Sequence, residues 1–535
     1  MILSNPHIIN ADVLYTFSCI AHMRYTHILM TTKNTLKHIG KLVANLREER
    51  GLTQSSLAKK LKTTQSVIAR IEKGEQNLSA SMLSKISSAL QKDIIEVSRG
   101  ALNIQISGGR KLSGEITTNT SKNAAMGLLC ASLLNKNKTI LRRVPKIEEV
   151  YRMVEVLESI DIKVRWQGND LEIEPPKTGP NLKKLDTDAA TKTRSIIMFI
   201  GPLIHHFKQF KLPQPGGCKL GSRTVRPHLY ALQRLGVNIE TKSKHYAVKV
   251  VNLKPNEIVL YESGDTVTEN STIAAALVPG KTVIKYASAN YMAQEVCFFL
   301  EKCGVKIDGI GTTTITVHGV KEINTPVTYT LAEDPVDTMF FLATAVVTKS
   351  SITIKRCPID FLEIELLKLE KMGLRFKLSK PYLSGNEKTK LVDIKTSPSK
   401  LVALEDKIEC RPYPGLNIDN LPFFAVIATQ AKGTTFIHDW VYEKRAIYYK
   451  ELDKLGADTL LADPHRFYVN GPTKLKATEI ICPPALRPAA IILIGMLSAD
   501  GTSILRNIYS INRGYEGIIK RLNSLGADIK ILHEF

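Results

Sequence analysis

Six stretches between residues 101 and 535 are apolar on nearly every face of a helix, a pattern typical of helices buried in a core. A polar or charged residue opens each stretch, and the predicted helices begin at Lys122, Arg194, Glu269, Asp337, Asp419 and Arg487. A short strand is predicted after each helix, at residues 139–141, 210–212, 282–284, 352–354, 435–437 and 503–505. The alternation of buried helices with strands predicts the α/β class.

The same region repeats a second signal six times, at intervals of 68 to 83 residues. A glycine that suits a left-handed helix cap is followed by apolar residues that suit a strand. The six positions are Asp161, which replaces the glycine in the first copy, and Gly236, Gly304, Gly373, Gly456 and Gly526. Together the two signals predict six similar structural units.

The residues that open the buried helices suggest a ligand. If the six helix N-termini point at a common place, their dipoles and unpaired N–H groups favour an anion there. Simple capping is the alternative, and it explains Asp337 and Asp419 well. It does not explain Lys122, Arg194 and Arg487, because a cation at a helix N-terminus opposes the dipole.

Residues 36–97 show a different pattern, that of short amphipathic helices in series. Apolar positions predict a helix over 42–50, a second helix capped by Thr53, and a third that opens with Thr64. Two residues separate the last two helices, which is the tight connection of a helix-turn-helix. The segment resembles the Cro/repressor-type DNA-binding family over its whole length.

This resemblance implies that the chain binds double-stranded DNA. It places five side chains against bases or phosphates, namely Gln54, Thr64, Gln65, Ser66 and Arg70. Twelve Lys or Arg against six Asp or Glu between residues 35 and 100 give the module an excess of positive charge. The alternative is a module that mediates only dimerisation or protein contacts, since a small helical fold alone does not establish DNA binding.

The whole chain is strongly basic, with 73 Lys and Arg against 51 Asp and Glu and a formal charge of +22. Such charge favours partners that carry phosphate, either nucleic acid, nucleotides or phosphorylated metabolites. The eight cysteines form no CxxC pair, which argues against a disulfide framework or a zinc site and fits a reducing cytoplasm.

Residues 1–35 contain apolar patches, but Asp12, His22 and Arg24 interrupt them. A secretory signal or a membrane span is therefore not expected. We expect a disordered extension here, or translated sequence upstream of a start at Met30.

Three glycines and a cysteine mark residues 215–223, which read Pro-Gly-Gly-Cys-Lys-Leu-Gly-Ser-Arg. Glycines free the backbone for close approach to a ligand. Lys219 and Arg223 are expected to favour the thiolate of Cys218, so this residue could exchange a proton near neutral pH or react with an anionic epoxide. The alternative is an inert, buried cysteine.

From residue 101 to 535 the chain resembles the enolpyruvyl transferase family, and within it the branch that acts on a UDP-sugar. The resemblance is carried by motifs along the whole segment, at residues 108–115, 121–125, 215–223, 412–419, 442–445, 485–487 and 512–516. It implies a two-domain inside-out α/β barrel of six βαβαββ units with the active site in the cleft, preceded by the all-α helix-turn-helix domain. The chain is expected to cross between the two domains near Ser121 and near Glu333.

These resemblances imply a domain organisation. The expected parts are the extension 1–35, the helix-turn-helix domain 36–97, transferase domain II formed by 101–121 with 333–535, and transferase domain I formed by 122–332, which carries the Cys218 loop. A homodimer is among the expected assemblies.

The family reaction moves the enolpyruvyl group of phosphoenolpyruvate to the 3-hydroxyl of UDP-N-acetylglucosamine and releases phosphate, the first committed step of peptidoglycan synthesis. By resemblance Cys218 is the acid that protonates the methylene carbon, and Asp419 is the base for the sugar hydroxyl. Lys122 and Arg513 join them as catalytic residues. No metal or organic cofactor is implied.

Substrate binding is assigned by the same resemblance. Phosphoenolpyruvate carries two anionic groups, for which the matching cations are Lys122, Arg223, Arg445, Arg487 and Arg513. Asn123 and Arg194 match nucleotide-sugar or cleft-closing contacts. The remaining expected substrate contacts are Arg226, which could face a uridine diphosphate, together with Thr266, Asp334 and Asp419.

Four positions depart from the family pattern. Ala485 stands where an acidic residue is expected two places before Arg487, and Pro335 stands where an arginine is expected. Met292 replaces a glutamate, and residues 224–226 read Thr-Val-Arg where Pro-Val-Asp is expected. A weakened enzyme, or one that uses another UDP-sugar, is therefore an alternative.

Two further functions compete with a transferase that also binds DNA. The first is a catalytically weak or inactive sensor of a UDP-sugar that regulates transcription through the helix-turn-helix. The second is the shikimate-pathway member of the family, 5-enolpyruvylshikimate-3-phosphate synthase, which the loop around Cys218 disfavours.

Overall fold

A computed structural model describes residues 39–41, 43–48, 52–76, 82, 85–86, 89, 102–214 and 224–532. The chain divides into two compact units, Met1–Leu102 and Asn103–Phe535. The predicted extension over residues 1–35 and the predicted loop of Cys218, Lys219 and Arg223 lie outside the described residues.

The first unit is helical. Residues 39–41 and 43–48 are helical and precede two further helices, α1 (Gln54–Lys60) and α2 (Gln65–Glu72). Their buried apolar side chains form one small core, with Ile39, Val43, Leu46, Leu57, Ala58, Leu61, Ile68, Ile71 and Ile86. The structure confirms the predicted helix-turn-helix.

Local chemistry fixes the ends of these two helices. The hydroxyl of Thr53 accepts a hydrogen bond from the backbone N–H of Ser56 at 3.1 Å, so Thr53 caps α1 as predicted. Lys62 adopts a left-handed conformation with φ of 52° in the turn, and Gly74 follows α2 with φ of 72°.

The second unit alternates strands with helices. The strands before residue 333 are β1 (Asn103–Ser107), β2 (Ser113–Thr117), β3 (Thr139–Arg142), β4 (Lys163–Gln167), β5 (Asp170–Glu174), β6 (Gln209–Pro213), β7 (Val237–Thr241), β8 (His245–Val250), β9 (Glu257–Val259), β10 (Gly280–Lys285), β11 (Lys306–Asp308), β12 (Thr314–Gly319) and β13 (Val327–Thr330). The later strands are β14 (Ser351–Pro358), β15 (Arg375–Leu378), β16 (Tyr382–Leu383), β17 (Lys390–Ser397), β18 (Leu401–Val402), β19 (Ile408–Glu409), β20 (Ala431–His438), β21 (Asp458–Leu461), β22 (Arg466–Gly471), β23 (Glu479–Ile481), β24 (Thr502–Arg506) and β25 (Asp528–Leu532). The six predicted short strands lie inside β3, β6, β10, β14, β20 and β24, so all six predictions are confirmed.

The second unit also contains α-helices and short 3₁₀ turns. They are α3 (Lys122–Ala131), α4 (Glu148–Ser159), α5 (Thr187–Lys192), α6 (Ile200–Leu203), α7 (Arg226–Arg234), α8 (Asp265–Ala276), α9 (Tyr291–Lys302), α10 (Pro335–Val347), α11 (Glu363–Lys371), α12 (Leu421–Ala428), α13 (Leu486–Ser498), α14 (Tyr509–Asn512) and α15 (Ile518–Ser524). Tighter 3₁₀ turns cover Ser132–Leu134, Leu182–Lys184, Arg194–Phe199, Ile359–Phe361 and Ala446–Leu455.

The strands form six sheets in the described residues. Their orders are β23-β24-β1-β25, β11-β12-β10-β9, β13-β3-β5-β4, β15-β17-β14-β2, β18-β20-β22-β21 and β6-β8-β7, while β16 adds to β17 and β19 adds to β20. Strand β1 pairs antiparallel with both β24 and β25, so the first strand of the unit completes the sheet of the last repeat. The architecture confirms the predicted α/β fold of six units.

Strand pairing separates the chain into two sets. Strands β3 to β13 pair only among themselves in the described residues, and β1, β2 and β14 to β25 do the same. One core cluster is built from residues between Ala125 and Leu331. The division into domain I over 122–332 and domain II over 101–121 with 333–535 stays a prediction.

The apolar helices lie in the interior, as their sequences predict. Helices α10, α12 and α13 pack against one another, and so do α3, α6 and α8. Four predicted starts are displaced, and the helix expected at Asp419 begins two residues later, at Leu421. The helix expected at Glu269 begins one turn earlier at Asp265, and the helices expected at Asp337 and Arg487 begin at Pro335 and Leu486.

Capping by Asp337 and Asp419 was the wrong assignment. Asp334 caps α10, because its Oδ1 accepts a hydrogen bond from the backbone N–H of Val336 at 2.8 Å. Asp419 precedes α12 but makes no cap, since the N-cap is Asn420 without a side-chain hydrogen bond.

The repeated cap signal is confirmed at all six positions. The φ angle is positive at each, at 68° for Asp161 and between 86° and 99° for Gly236, Gly304, Gly373, Gly456 and Gly526. Left-handed backbone strains most residues with a side chain, which explains the preference for glycine.

Two chain crossings expected from the family lie side by side. Thr120 forms an isolated antiparallel bridge with Glu333, and the N–H of Asp334 donates to the carbonyl of Asn119 at 2.8 Å. Ion pairs from Arg143 and Arg356 reach the buried carboxylate of Glu333 at 2.5 and 2.8 Å. These contacts fix the positions of Lys122 and Asp334, which follow the crossings directly.

Among the described residues, no helix is both long and apolar enough to cross a membrane.

Candidate active site

Arg487 is the centre of a buried polar cluster at the start of α13. Its Nη2 donates to Oδ2 of Asp419 at 3.1 Å, and its Nη1 donates to the hydroxyl of Tyr515 at 2.9 Å. Burial alone would raise the pKa of Asp419, but the positive charges of Arg487, Arg445 and Lys122 outweigh it and lower the pKa to about 2. The carboxylate is therefore ionised at neutral pH.

Lys122 and Arg513 lie on either side of one carboxylate, that of Glu149. Lys122 Nζ forms a close ion pair with Oε2 of Glu149, and Arg513 Nε lies 3.5 Å from Oε1. Lys122 opens α3, Glu149 lies in the first turn of α4, and Arg513 follows α14. Three separate elements thus bring two predicted substrate cations to one acid.

Asp334 and Asn123 border the same cluster. Burial raises the pKa of Asp334 to about 6, although the nearby charge of Arg487 opposes the shift. Asn123 Nδ2 donates to the hydroxyl of Tyr291 at 3.1 Å. A small pocket beside these groups is lined by Lys122, Asp334 and Tyr515, with Asn119 and Thr120 from the chain crossing.

Arg445 is near the cluster but is committed to another partner. Its Nε and Nη2 bind the two oxygens of Asp439 at 2.6 and 2.9 Å, and Tyr449 donates its hydroxyl to the same carboxylate at 2.6 Å. The ring of Tyr442 stacks against the guanidinium at 4.2 Å. Arg445 is 1% exposed, so its charge acts on Asp419 through space.

A second group surrounds His228 and includes Thr266, which the resemblance assigns to substrate binding. Thr266 Oγ1 lies 3.3 Å from Nε2 of His228, and the other ring nitrogen of His228 lies 3.1 Å from the amide of Asn270. Burial, with the charge of Arg194, lowers the pKa of His228 to about 3, so its ring is neutral. Arg226 is exposed at the first position of α7.

The departures from the family pattern lie close to the cluster. Ala485 is buried directly before α13 and offers no side-chain cap. Pro335 is the first residue of α10, and Met292 packs with Ala124 and Tyr291 in a small apolar cluster.

The structure therefore gathers part of the predicted set. Four of its members come together with Asp334 beside them, namely Lys122, Asp419, Arg487 and Arg513. Arg194 and Thr266 instead lie near His228, and Arg226 is exposed two residues before that histidine. Cys218 and Arg223 remain predictions outside the described residues.

Sequence reasoning missed three members of the cluster. Glu149 follows another acid in the first turn of a helix, a pattern that also occurs on solvated helix faces. Tyr291 has no motif around it. Tyr515 lies inside the motif 512–516, so its position carried a signal, although its role did not.

Four of the five predicted DNA-contacting residues lie on one short segment, and the fifth, Gln54, lies on α1. Thr64, Gln65, Ser66 and Arg70 are exposed at α2, and Thr64 Oγ1 lies 3.0 Å from the hydroxyl of Ser66. The amide of Gln65 donates to Gln54 at 2.7 Å. Gln54 in turn donates to Glu72 at 2.8 Å, and Arg47 binds Glu72 at 2.6 Å. This network holds the start of α2 against α1.

Family comparisons cover both units. Residues 106–522 match the family described as EPSP synthase (3-phosphoshikimate 1-carboxyvinyltransferase), and residues 43–97 match the helix-turn-helix family. A relative from Treponema denticola named UDP-N-acetylglucosamine 1-carboxyvinyltransferase is 34% identical over 430 residues, which are 80% of this chain and 98% of the relative. One of the same name from Borreliella burgdorferi is 30% identical over 427 residues, 79% of this chain and 98% of the relative.

Solved structures show the same fold. The enolpyruvyl transferase NikO from Streptomyces tendae superposes with a TM-score of 0.70 at 21% identity, over 81% of this chain and 99% of that one. EPSP synthase from Acinetobacter baumannii superposes with a TM-score of 0.65 at 16% identity, over 81% of this chain and 100% of that one.

Proposed function

Since this chain belongs to the EPSP synthase family of enolpyruvyl transferases, we propose that it transfers the enolpyruvyl group of phosphoenolpyruvate to the 3-hydroxyl of UDP-N-acetylglucosamine and releases phosphate. The reaction is the first committed step of peptidoglycan synthesis. Relatives named for this activity align over 98% of their own length, which supports the UDP-sugar over shikimate 3-phosphate as acceptor.

The observation that carries the proposal is the ionised carboxylate of Asp419 next to Arg487 and Lys122, with Arg513 and Lys122 joined through Glu149. Lys122, Arg487 and Arg513 provide positive charge for the phosphate and carboxylate of phosphoenolpyruvate. Asp419 is kept ionised by the charges of Arg487, Arg445 and Lys122 and can accept the proton of the sugar hydroxyl. In the proposed mechanism Cys218 protonates the methylene carbon, and the cations that bind phosphoenolpyruvate stabilise the phosphate as it leaves.

The remaining assignments complete this proposal. Arg223 would join the cations that bind phosphoenolpyruvate. Binding of the nucleotide sugar or closing of the cleft would involve Asn123, Arg194, Arg226 and Thr266. Asp334 and Arg445 would act from the edge of the site, Arg445 through its charge. We place the activity in the cytoplasm and keep the homodimer as a prediction.

The direct test is phosphate release from phosphoenolpyruvate by the full chain. UDP-N-acetylglucosamine should support turnover, and shikimate 3-phosphate should not. Turnover with shikimate 3-phosphate alone would contradict the proposed acceptor. Tight binding of the UDP-sugar without phosphate release would favour the alternative function, a sensor that regulates transcription.

Ala485→Asp is expected to raise turnover at least about tenfold. By resemblance an acid at this place lies beside Cys218 and the reacting carbon, and a positioned proton-transfer group contributes about 10²–10⁴-fold. Calorimetry should show that the affinity for the UDP-sugar is nearly unchanged, because the cations remain.

Ala485→Asn is the matched control, because Asn also caps a helix but does not transfer protons in this way. If the Asn variant raised turnover as much as the Asp variant, capping of α13 would explain the gain. If neither variant raised turnover, another group already transfers the proton.

The first unit gives the chain a second proposed function, binding of double-stranded DNA. The fold, the match to the helix-turn-helix family and the exposed polar side chains of α2 support it. In such modules the second helix enters the major groove and phosphate contacts fix its register.

Gln65→Ala is expected to relax sequence preference more than it lowers overall affinity. A good base contact contributes about 1–3 kcal/mol of discrimination, whereas most affinity comes from phosphate contacts. Footprinting on genomic fragments, followed by titrations at several salt concentrations, measures both quantities. The absence of salt-sensitive DNA binding in the unchanged protein would contradict the proposal.

A further inference from the structure

Glu149 holds an unusual place for an acid in a site that should receive an anion. Its carboxylate lies between Lys122 Nζ and Arg513 Nε, two groups that the proposed function assigns to phosphoenolpyruvate. The side chain is only 20% exposed. A substrate anion bound by both cations would have to take the position that this carboxylate occupies.

The electrostatics of the contact keep Glu149 charged. Burial would raise the pKa of Glu149, but the charges of Lys122, Arg513 and Arg487 together lower it. The glutamate therefore stays ionised at neutral pH and offsets one of the two positive charges.

The contact between Glu149 and Arg513 leaves one hydrogen-bond donor of the arginine unsatisfied. Arg513 Nε is buried and makes no hydrogen bond within the described part of the chain, because Glu149 approaches it only to 3.5 Å. A buried donor without a good acceptor costs free energy, so a better-placed acceptor is favoured here. A phosphate or carboxylate oxygen of a ligand would supply one.

We propose that Glu149 is an internal counter-ion that competes with the anionic group of the substrate for Lys122 and Arg513. This inference rests on the proposed function and names a residue that sets affinity for phosphoenolpyruvate. When the anion binds, the carboxylate of Glu149 gives up its cations, and when phosphate leaves, it returns to them. Glu149 thereby weakens anion binding and speeds phosphate release.

The neighbouring residue shows that the placement is specific to Glu149. Glu148 lies in the same helical turn, but it pairs with Arg152 of its own helix at 2.6 Å. Arg152 also binds Glu155, at 3.0 Å. Glu148→Gln therefore removes the same charge from the same turn without touching Lys122 or Arg513, which makes it a matched control.

The experiment titrates inorganic phosphate, and separately phosphoenolpyruvate, into the full chain by calorimetry. Glu149→Gln should bind each anion about tenfold more tightly than the unchanged protein, because a competing negative charge is gone. Glu148→Gln should stay within about twofold. In steady-state assays Glu149→Gln should lower KM for phosphoenolpyruvate, lower kcat, and strengthen product inhibition by phosphate about tenfold.

The calorimetric titrations test the inference even if the protein shows no turnover. If the unchanged protein released no phosphate from phosphoenolpyruvate, the proposed function would fail while the phosphate titrations still tested Glu149. If Glu149→Gln did not fold, Glu149→Ala removes the same charge with a smaller side chain and serves in its place. Phosphate binding that is unchanged or weaker in the folded variant overturns the inference, since a merely structural glutamate would alter thermal stability alone.

Discussion

Asp419→Asn is expected to lower kcat by about 10²–10⁴-fold while the UDP-sugar still binds, because asparagine keeps the shape of the side chain but cannot accept the hydroxyl proton. The carboxylate is suited to this role by position rather than by basicity. Its pKa is about 2 while Arg487 is its partner, although burial alone would raise it. A substrate anion that engages Arg487 would weaken that pairing and make the carboxylate a stronger base.

Phosphate release and calorimetry on the same preparations separate chemistry from binding. Asp360→Asn is a suitable control, because Asp360 pairs with Lys390 at the surface, at 3.0 Å, and lies outside the cluster. Turnover of Asp419→Asn within about threefold of the unchanged protein would show that another group deprotonates the sugar.

Much of the fold could be predicted because its signals are local. A left-handed cap before a strand needs a glycine or a tolerant residue, and Gly236 and Asp161 both adopt positive φ. The first residues of the helices were predicted less accurately. The start expected at Glu269 was displaced because Gly264 and Asp265 open the helix a turn earlier, and the polar residues of its first two turns do not stand out as a helix by their apolar pattern.

The candidate site was predictable as a set of residue types but not as a set of contacts. Lys122 and Arg513 carry motifs that the family resemblance makes visible. Their shared partner Glu149 is brought to them by the packing of α4, and no spacing of residues in the sequence predicts that contact. Likewise, nothing in the motif of Arg445 shows that its guanidinium is occupied by Asp439.

The buried ion pair of Asp439 with Arg445 stabilises the second unit more than a surface ion pair would. Asp439 is fully buried and Arg445 nearly so, and two parallel hydrogen bonds at 2.6 and 2.9 Å join them. Tyr449 donates a third hydrogen bond to the carboxylate. Both hydrogen bonds that the guanidinium of Arg445 makes to side chains of the described residues thus go to one carboxylate.

Asp439→Ala is therefore expected to lower the free energy of unfolding by about 3–5 kcal/mol, because it leaves a buried arginine without its counter-charge. Asp528→Ala is the matched control: its pair with Arg110 has a similar distance of 2.9 Å, but Arg110 is 55% exposed, and such pairs contribute about 0–1 kcal/mol. Urea denaturation followed by circular dichroism measures both. Equal losses of unfolding free energy in the two variants would contradict this expectation. They would mean that water or a shifted Tyr442 stabilises the charge of Arg445 when Asp439 is absent.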